Sequence, residues 1–311
     1  MKKLLTAICF IMCAVLCVCG CTSDKNTAGG KLSVVVTAFP HYDFVRQIAG
    51  DNVQITMLVK PGTEVHNYEP TPTDIAKIST CDVFVYTGGE SDIWAKGILE
   101  SVDNENMRVI SFTDICRPVA AGEDVHGEDG ISHAHSTYDE HVWTSPINAK
   151  KISEEIFNVL CEADEKNANK YMKSFDAFIA ELDELDGLFR NAVSSGKRNM
   201  IVVGDRFPFT HLANEYGFEY VSAFPGCSSE TEPSAKKVAE LSAFVKENEI
   251  PVVFTIEFSN KKIAKNIVAD SDAEILMLHS CHNVTEDGFL SKITYVELMT
   301  QNAENLRKAL N

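Results

Sequence analysis

Apolar and polar positions follow two alternating rhythms along this chain. Short runs rich in branched residues, Leu32–Ala38, Val53–Val59, Val83–Tyr86 and Arg108–Ile110, read as strands. Between them Tyr42–Ala49, Thr73–Thr80 and Asp92–Val102 read as amphipathic helices, the second opened by the start signal Thr71-Pro72-Thr73-Asp74. The second half repeats the alternation. Met200–Val203, Tyr220–Ser222, Val252–Ile256 and Ile275–Leu278 read as strands; Phe209–Tyr216, Pro233–Glu247, Asn260–Ala269 and Tyr295–Leu310 read as helices.

From Asn167 to about Ser194, Tyr171, Phe175, Phe178, Leu182, Leu185 and Leu188 recur at three- and four-residue steps, the longest helical pattern in the chain. At about 1.5 Å per residue this helix spans on the order of 40 Å. Strand and helix in alternation imply an α/β fold with parallel sheets. The expected architecture is two parallel-sheet lobes, residues 32–166 and 196–311, joined by one connecting helix over 167–195, with a cleft between the lobes. A stiff connector of this kind restricts wide opening of that cleft.

The N-terminus adds a different element. Met-Lys-Lys precedes an uncharged apolar run from Leu4 to Val18, which reads as a secretory signal over residues 1–20 and is short for a membrane span. Val18-Cys19-Gly20-Cys21 resembles the lipobox of bacterial lipoproteins, which makes Cys21 the expected lipid anchor and residues 21–31 a polar tether. Without the signal, 26 basic residues face 45 acidic ones, a formal charge of −19. Such acidity argues against nucleic acid as a partner and suits both solubility and attraction of cations. Five cysteines remain in the mature chain, Cys81, Cys116, Cys161, Cys227 and Cys281, none in Cys-x-x-Cys spacing. Outside the cytoplasm Cys81–Cys116 and Cys227–Cys281 are the disulfides available within each half, and the odd count leaves one thiol unpaired.

Nine histidines supply the candidate chemistry. His66 follows the second strand candidate, Asp205 follows Met200–Val203 and His279 directly follows Ile275–Leu278. Ligands of open parallel sheets bind outside the carboxyl ends of strands, so these side chains are candidates for one cleft. His141 sits in a loop before a helix that starts near Pro146, and His282 is the reserve candidate. A separate polar stretch, Glu123–His135, carries His126, His133 and His135, read either as an accessory metal loop or as a solvated loop with no specific role.

Two segments carry a family resemblance. Gly62-Thr63-Glu64-Val65-His66-Asn67-Tyr68-Glu69-Pro70 is similar to the His-x-[Phe/Tyr]-Glu-Pro segment of the zinc and manganese solute-binding lipoproteins of ABC metal importers, the TroA-like family. Asp139-Glu140-His141-Val142-Trp143-Thr144-Ser145-Pro146 resembles that family's Asp-x-His-x-Trp-x-x-Pro segment. The resemblance makes His66 and His141 the first two metal ligands. It places His279 where the family has an aspartate, and Arg206 where it usually has histidine or glutamate. Arginine stays protonated and cannot bind a cation, so the neighbouring Asp205 is the candidate there. Arg206 then reads as a surface residue or an ion-pair partner of Glu257 or Asp205, or as a donor that orients Asp205. Trp143 and Tyr68 read as packing residues that fix the ligand-bearing turns.

The implied shell is thus His66, His141, His279 and Asp205. Imidazole-rich ligation favours Zn2+, with Mn2+, which prefers oxygen donors, the alternative; copper and nickel also accept imidazole. The resemblance implies an extracytoplasmic, lipid-anchored, monomeric protein that hands the ion to an ABC permease and its ATPase. An adhesin or metal-buffering lipoprotein of the same fold is the alternative reading. A secreted zinc hydrolase would also use three histidines and a water, but neither His-Glu-x-x-His nor Gly-x-Ser-x-Gly occurs, so no enzyme is expected.

Overall fold

Val34 and Val36 face one side of the first strand and Val35 the other, and all three are buried. That is the pattern of a strand covered on both faces in a parallel sheet. The computed structural model describes residues 30–120, 138–224 and 233–311. In its first part β1 (Leu32–Val36) is followed by α1 (Phe39–Ala49), β2 (Val53–Met57), α2 (Pro72–Thr80), β3 (Val83–Tyr86), α3 (Trp94–Ser101), β4 (Arg108–Ser111) and α4 (Phe112–Ile115). A short antiparallel pair, β5 (Val119–Ala120) with β6 (Tyr138–Asp139), precedes α5 (Pro146–Ala163) and α6 (Ala168–Ser194). Then come β7 (Met200–Val203), α7 (Thr210–Tyr216), β8 (Glu219–Ser222), α8 (Ala235–Glu247), β9 (Val252–Thr255) and α9 (Lys262–Val268). The chain closes with β10 (Glu274–Met277), α10 (Glu286–Leu290) and α11 (Tyr295–Leu310).

The strands form two parallel four-stranded sheets, ordered β2-β1-β3-β4 and β8-β7-β9-β10. The same strand order recurs in both halves although no sequence repeat marks it. In each, the chain moves from the first strand to one edge and then crosses to the other side, leaving a topological switch point beside the first strand.

Alternation along the strands divides the core. Val34 and Val85 from one sheet and Ile201, Val203 and Phe254 from the other share a single cluster with Phe44 of α1, Ile152 of α5, Phe178 of α6 and Tyr295 of α11. The outer faces carry separate clusters, Val35 with Ile78 and Phe84, and Val202 with Leu241 and Val253. Leu32–Asn311 accordingly make one compact unit.

Helix α6 buries Tyr171, Phe178, Leu182, Leu185, Phe189 and Ala192 against that shared core. The expected stripe ended at Leu188, which is 43% exposed; the 3.6-residue period carries the buried face to Phe189 instead. The Cys81–Cys116 disulfide that the sequence leaves available is not formed. Both thiols are free and buried, the first donating to the Ile78 carbonyl at 3.2 Å and the second lying 3.8 Å from the Asn148 carbonyl. Cys227 falls outside the described residues.

A buried acid ties the first helix to the last. Asp43 accepts from Arg46 and Gln47 on its own helix, and from the backbone N–H of Tyr295 at 2.7 Å, where it caps α11. Arg46 donates in turn to the Ile293 carbonyl at 2.8 Å. Asp43→Ala leaves that cation and the helix end short of a partner, and a loss of about 3–5 kcal/mol is expected in urea unfolding. A change below roughly 1 kcal/mol would show that the Arg46–carbonyl bond alone suffices.

Candidate metal centre

Three histidines from three loops meet between the sheets. His66 lies in the connection from β2 to α2, His141 lies two residues past β6, and His282 lies in the connection from β10 to α10. One ring nitrogen from each falls within 4.8 Å of the others. Ring centroids are 5.6 Å apart for His66 and His141, and 4.9 Å from His282 to each. Among the described residues the Nε2 of His282 is buried with no hydrogen-bond partner.

The loops are fixed by bonds to one another. Asn283 donates its side-chain amide to the carbonyls of Lys60 and Thr63, at 2.8 and 2.9 Å, and Gly62 N–H donates to the Val284 carbonyl at 2.7 Å. These bonds stitch the His66 loop to the His282 loop. Trp143, fully buried, donates its indole N–H to the Ser280 carbonyl at 2.8 Å and lies 5.2 Å from the ring of His141 and 4.9 Å from that of His282. Tyr295 donates its hydroxyl to the Trp143 carbonyl at 2.7 Å. Glu257, just past β9, accepts from Ser280 N–H at 2.8 Å and from the Ser280 hydroxyl, whose oxygen accepts from His282 N–H at 3.2 Å. Cys281 adopts φ 59°, a left-handed conformation uncommon for a residue with a side chain, and so turns the chain toward His282.

Carboxylates stand behind two of the rings. His141 donates Nδ1–H to Asp139 Oδ1 at 2.6 Å, and Asp139 also accepts from His141 N–H at 2.9 Å and Thr210 N–H at 3.0 Å. Glu140 lies 3.6 Å from His66 Nδ1 and accepts from Ser91 N–H at 3.0 Å. A Cβ at Gly89 would collide with Glu140, so glycine there makes room for that carboxylate. Carboxylates behind metal-binding imidazoles hold ring orientation and raise basicity. Asp139→Ala is expected to weaken divalent metal binding about 10- to 100-fold in calorimetric titration. Unchanged affinity would mean that the ring of His141 keeps its place without the carboxylate.

Burial sets the charge state. It is the main cause holding His66 down at about 3, with His141 and Arg206 adding to it, and it puts His282 well below the ordinary imidazole range. Burial alone would raise Asp139, but the charge and hydrogen bonds of His141 outweigh it and hold that carboxyl well below the usual carboxylate range. Two neutral imidazoles and an ionised carboxylate make a set suited to a divalent cation.

The structure thus brings together His66, His141 and the reserve candidate His282. It places His279 and Asp205 elsewhere. His279 sits where β10 ends: its N–H donates to Asn302 Oδ1 and its carbonyl accepts from the same amide, both at 2.7 Å, and its Nδ1 accepts from Cys281 N–H at 2.9 Å. Asp205 accepts from Arg206 N–H at 2.9 Å. Arg206 pairs with neither Glu257 nor Asp205 but reaches Glu64 at 3.8 Å. Tyr68 packs as expected, its hydroxyl on Asp74 at 3.0 Å. Cys21, His126, His133 and His135 lie outside the described residues.

His41 drew no notice in the sequence and lies fully buried near the centre. Its Nδ1 accepts from Ala38 N–H at 3.2 Å, its Nε2 lies 3.3 Å from the Thr87 hydroxyl, and burial lowers it to about 3. A histidine one turn into a helix gives no sequence signal that would separate it from the surface kind.

Comparison with known proteins agrees with this geometry. The family described as "Zinc-uptake complex component A periplasmic" matches residues 34–309. The zinc-binding lipoprotein AdcA of Streptococcus pneumoniae is 30% identical over 313 residues, which cover 99% of this chain and 61% of that protein. The chain therefore spans about three fifths of the length of that relative. The high-affinity zinc uptake system protein ZnuA of Bacillus subtilis is 30% identical over 312 residues, 98% of this chain and 95% of that one. Among solved structures, the Zn(II)-bound ZnuA-like domain of Streptococcus pneumoniae AdcA superposes with a TM-score of 0.74 at 29% identity, over 90% of this chain and 99% of that chain.

Proposed function

Because this chain belongs to the zinc-uptake complex component A family, whose pattern runs over residues 34–309, we propose that it captures Zn2+ with His66, His141 and His282 and presents the ion to an ABC permease and its ATPase. One observation carries the reading: imidazoles from three distant loops converge to within 4.8 Å between two sheets. Three imidazole nitrogens suit zinc, which takes imidazole at about 2.0–2.1 Å in a tetrahedron, better than manganese with its preference for oxygen. With Nδ1 of His141 engaged by Asp139, Nε2 is the nitrogen that serves the ion.

The family is the solute-binding part of a zinc importer, and the site is a place of capture and release. Among the described residues no helix is long and apolar enough to cross a membrane. Attachment to the outer face of the membrane through lipid on Cys21, as a monomer, with His126, His133 and His135 feeding the main site, completes the proposal.

Calorimetric titration of zinc into His66→Ala and His141→Ala tests it. Each variant is expected to lose on the order of 100-fold or more in affinity, a quarter share of the roughly 10–16 kcal/mol typical of four-ligand zinc sites. Wild-type affinity in either would remove that residue from the site.

A further inference from the structure

The three histidines leave a tetrahedral ion one ligand short, and most carboxylates around them are committed. Asp139 holds the ring of His141 and accepts from Thr210 N–H. Glu140 is buried, accepts from Ser91 N–H and lies so close to Gly89 that a Cβ there would strike it. Glu257 is tied through both oxygens to Ser280, whose hydroxyl accepts from His282 N–H, and Asp205 is turned back on Arg206 N–H. Moving Asp139, Glu140 or Glu257 would undo a contact that holds a metal-binding ring or its loop.

Glu64 is held differently. It lies two residues before His66, its side chain is 47% exposed, and with His66, His282, Arg206 and Glu257 it borders a cavity of about 30 Å3, room for a single ion or water. Its Oε1 accepts from Val65 N–H at 3.1 Å and lies 3.5 Å from the backbone nitrogen of His66. Its Oε2 stands 3.8 Å from a guanidinium nitrogen of Arg206, beyond hydrogen-bond reach. A loose, half-exposed ion pair contributes little, and an exposed side chain changes rotamer readily. Glu64 is therefore the carboxylate that can turn to an ion at least cost. Charge points the same way: two carboxylates and one guanidinium leave the cavity wall with an excess of negative charge, which favours a cation.

We propose that Glu64 is the fourth zinc ligand and that Arg206 competes with the ion for its carboxylate. The proposal rests on the three-histidine reading above. On capture zinc displaces the guanidinium from Glu64; on handover Arg206 takes the carboxylate back, which lowers the cost of letting the ion go. The two residues come from opposite sheets, Glu64 from the connection between β2 and α2 and Arg206 from that between β7 and α7, so the exchange remakes a contact across the cleft.

Crystals of the full chain loaded with zinc test it. The ion is expected on the three rings with a Glu64 oxygen at about 2.0–2.2 Å as its fourth neighbour, and with Arg206 parted from that carboxylate. In calorimetric titration Glu64→Gln is expected to lose about 10- to 100-fold in zinc affinity, a part of what one ligand of a zinc site contributes. Arg206→Gln is expected to gain about 5-fold, the scale of a loose ion pair released. Placed on top of Glu64→Gln, the same change is expected to alter affinity by less than about 2-fold, because the competition runs through the carboxylate. A water or another carboxylate in the fourth position, with Glu64 still facing Arg206, would overturn the assignment while leaving the three-histidine site intact. An equal gain from Arg206→Gln in both backgrounds would overturn the exchange and leave Arg206 a merely repelling charge. Zinc anywhere but on the three rings would overturn the reading beneath the proposal.

Discussion

Replacing His282 by alanine is expected to cost on the order of 100-fold or more in zinc affinity, while His279→Ala leaves it nearly unchanged. The two residues are three apart and differ completely in setting. His282 turns its ring into the cluster and keeps a buried Nε2 for which the described residues offer no hydrogen bond. His279 spends its Nδ1 on Cys281 N–H, and Asn302 holds its backbone from both sides. Losing the His279 ring removes one local hydrogen bond, about 1 kcal/mol of stability, and no metal donor. Parallel titrations of the two variants decide the matter, and a reversed order of affinities would return the site to His279.

His66 and His282 are also expected to add nothing to any loss of zinc affinity from roughly pH 7.5 down to about pH 5, as read by competition with a chromophoric chelator. An imidazole donates to zinc only when neutral, and it is neutral above its pKa. An ordinary imidazole begins to be protonated near 6.5, so each such ligand would cost roughly 30-fold by about pH 5. For His66 burial moves that point down to about 3, and His282 lies well below the ordinary range too, so neither ring takes a proton in this window. The sign is fixed: lowering these pKa values extends the share of both rings in metal binding toward acid, and His66 is lost as a donor only as the pH falls toward 3. A fall of about 1,000-fold by about pH 5 would show that these rings titrate as exposed ones do.

Much of this fold was legible because parallel strands buried on both faces are continuous branched runs. Val83–Tyr86 and Met200–Val203 fall where the apolar runs place them, and Tyr295–Leu310 follows its helical period from end to end. The short β5–β6 pair was not legible: two residues on each side are too few to show a period. For the site, the motifs around His66 and His141 named two residues that do converge. His279 was named by its place after a strand and by the family's aspartate position, and the structure leaves it outside the three-histidine cluster. His66 lies nine residues beyond Met57, so distance from a strand end was already a poor guide. The turn that selects His282 depends on the left-handed Cys281 and on the bonds of Glu257 and Asn283, all contacts with residues far away in the chain.

The apolar cluster common to both sheets limits how this molecule can signal that it is loaded. Prying the sheets apart would wet Phe44, Phe178, Phe189, Tyr295 and Trp143, each fully or almost fully buried. At about 2 kcal/mol apiece that approaches 10 kcal/mol, comparable to the whole stability of a typical domain. A gaping apo form is therefore too rare to sample, and under the proposed handover a permease would have to distinguish full from empty by the posture of a few surface loops.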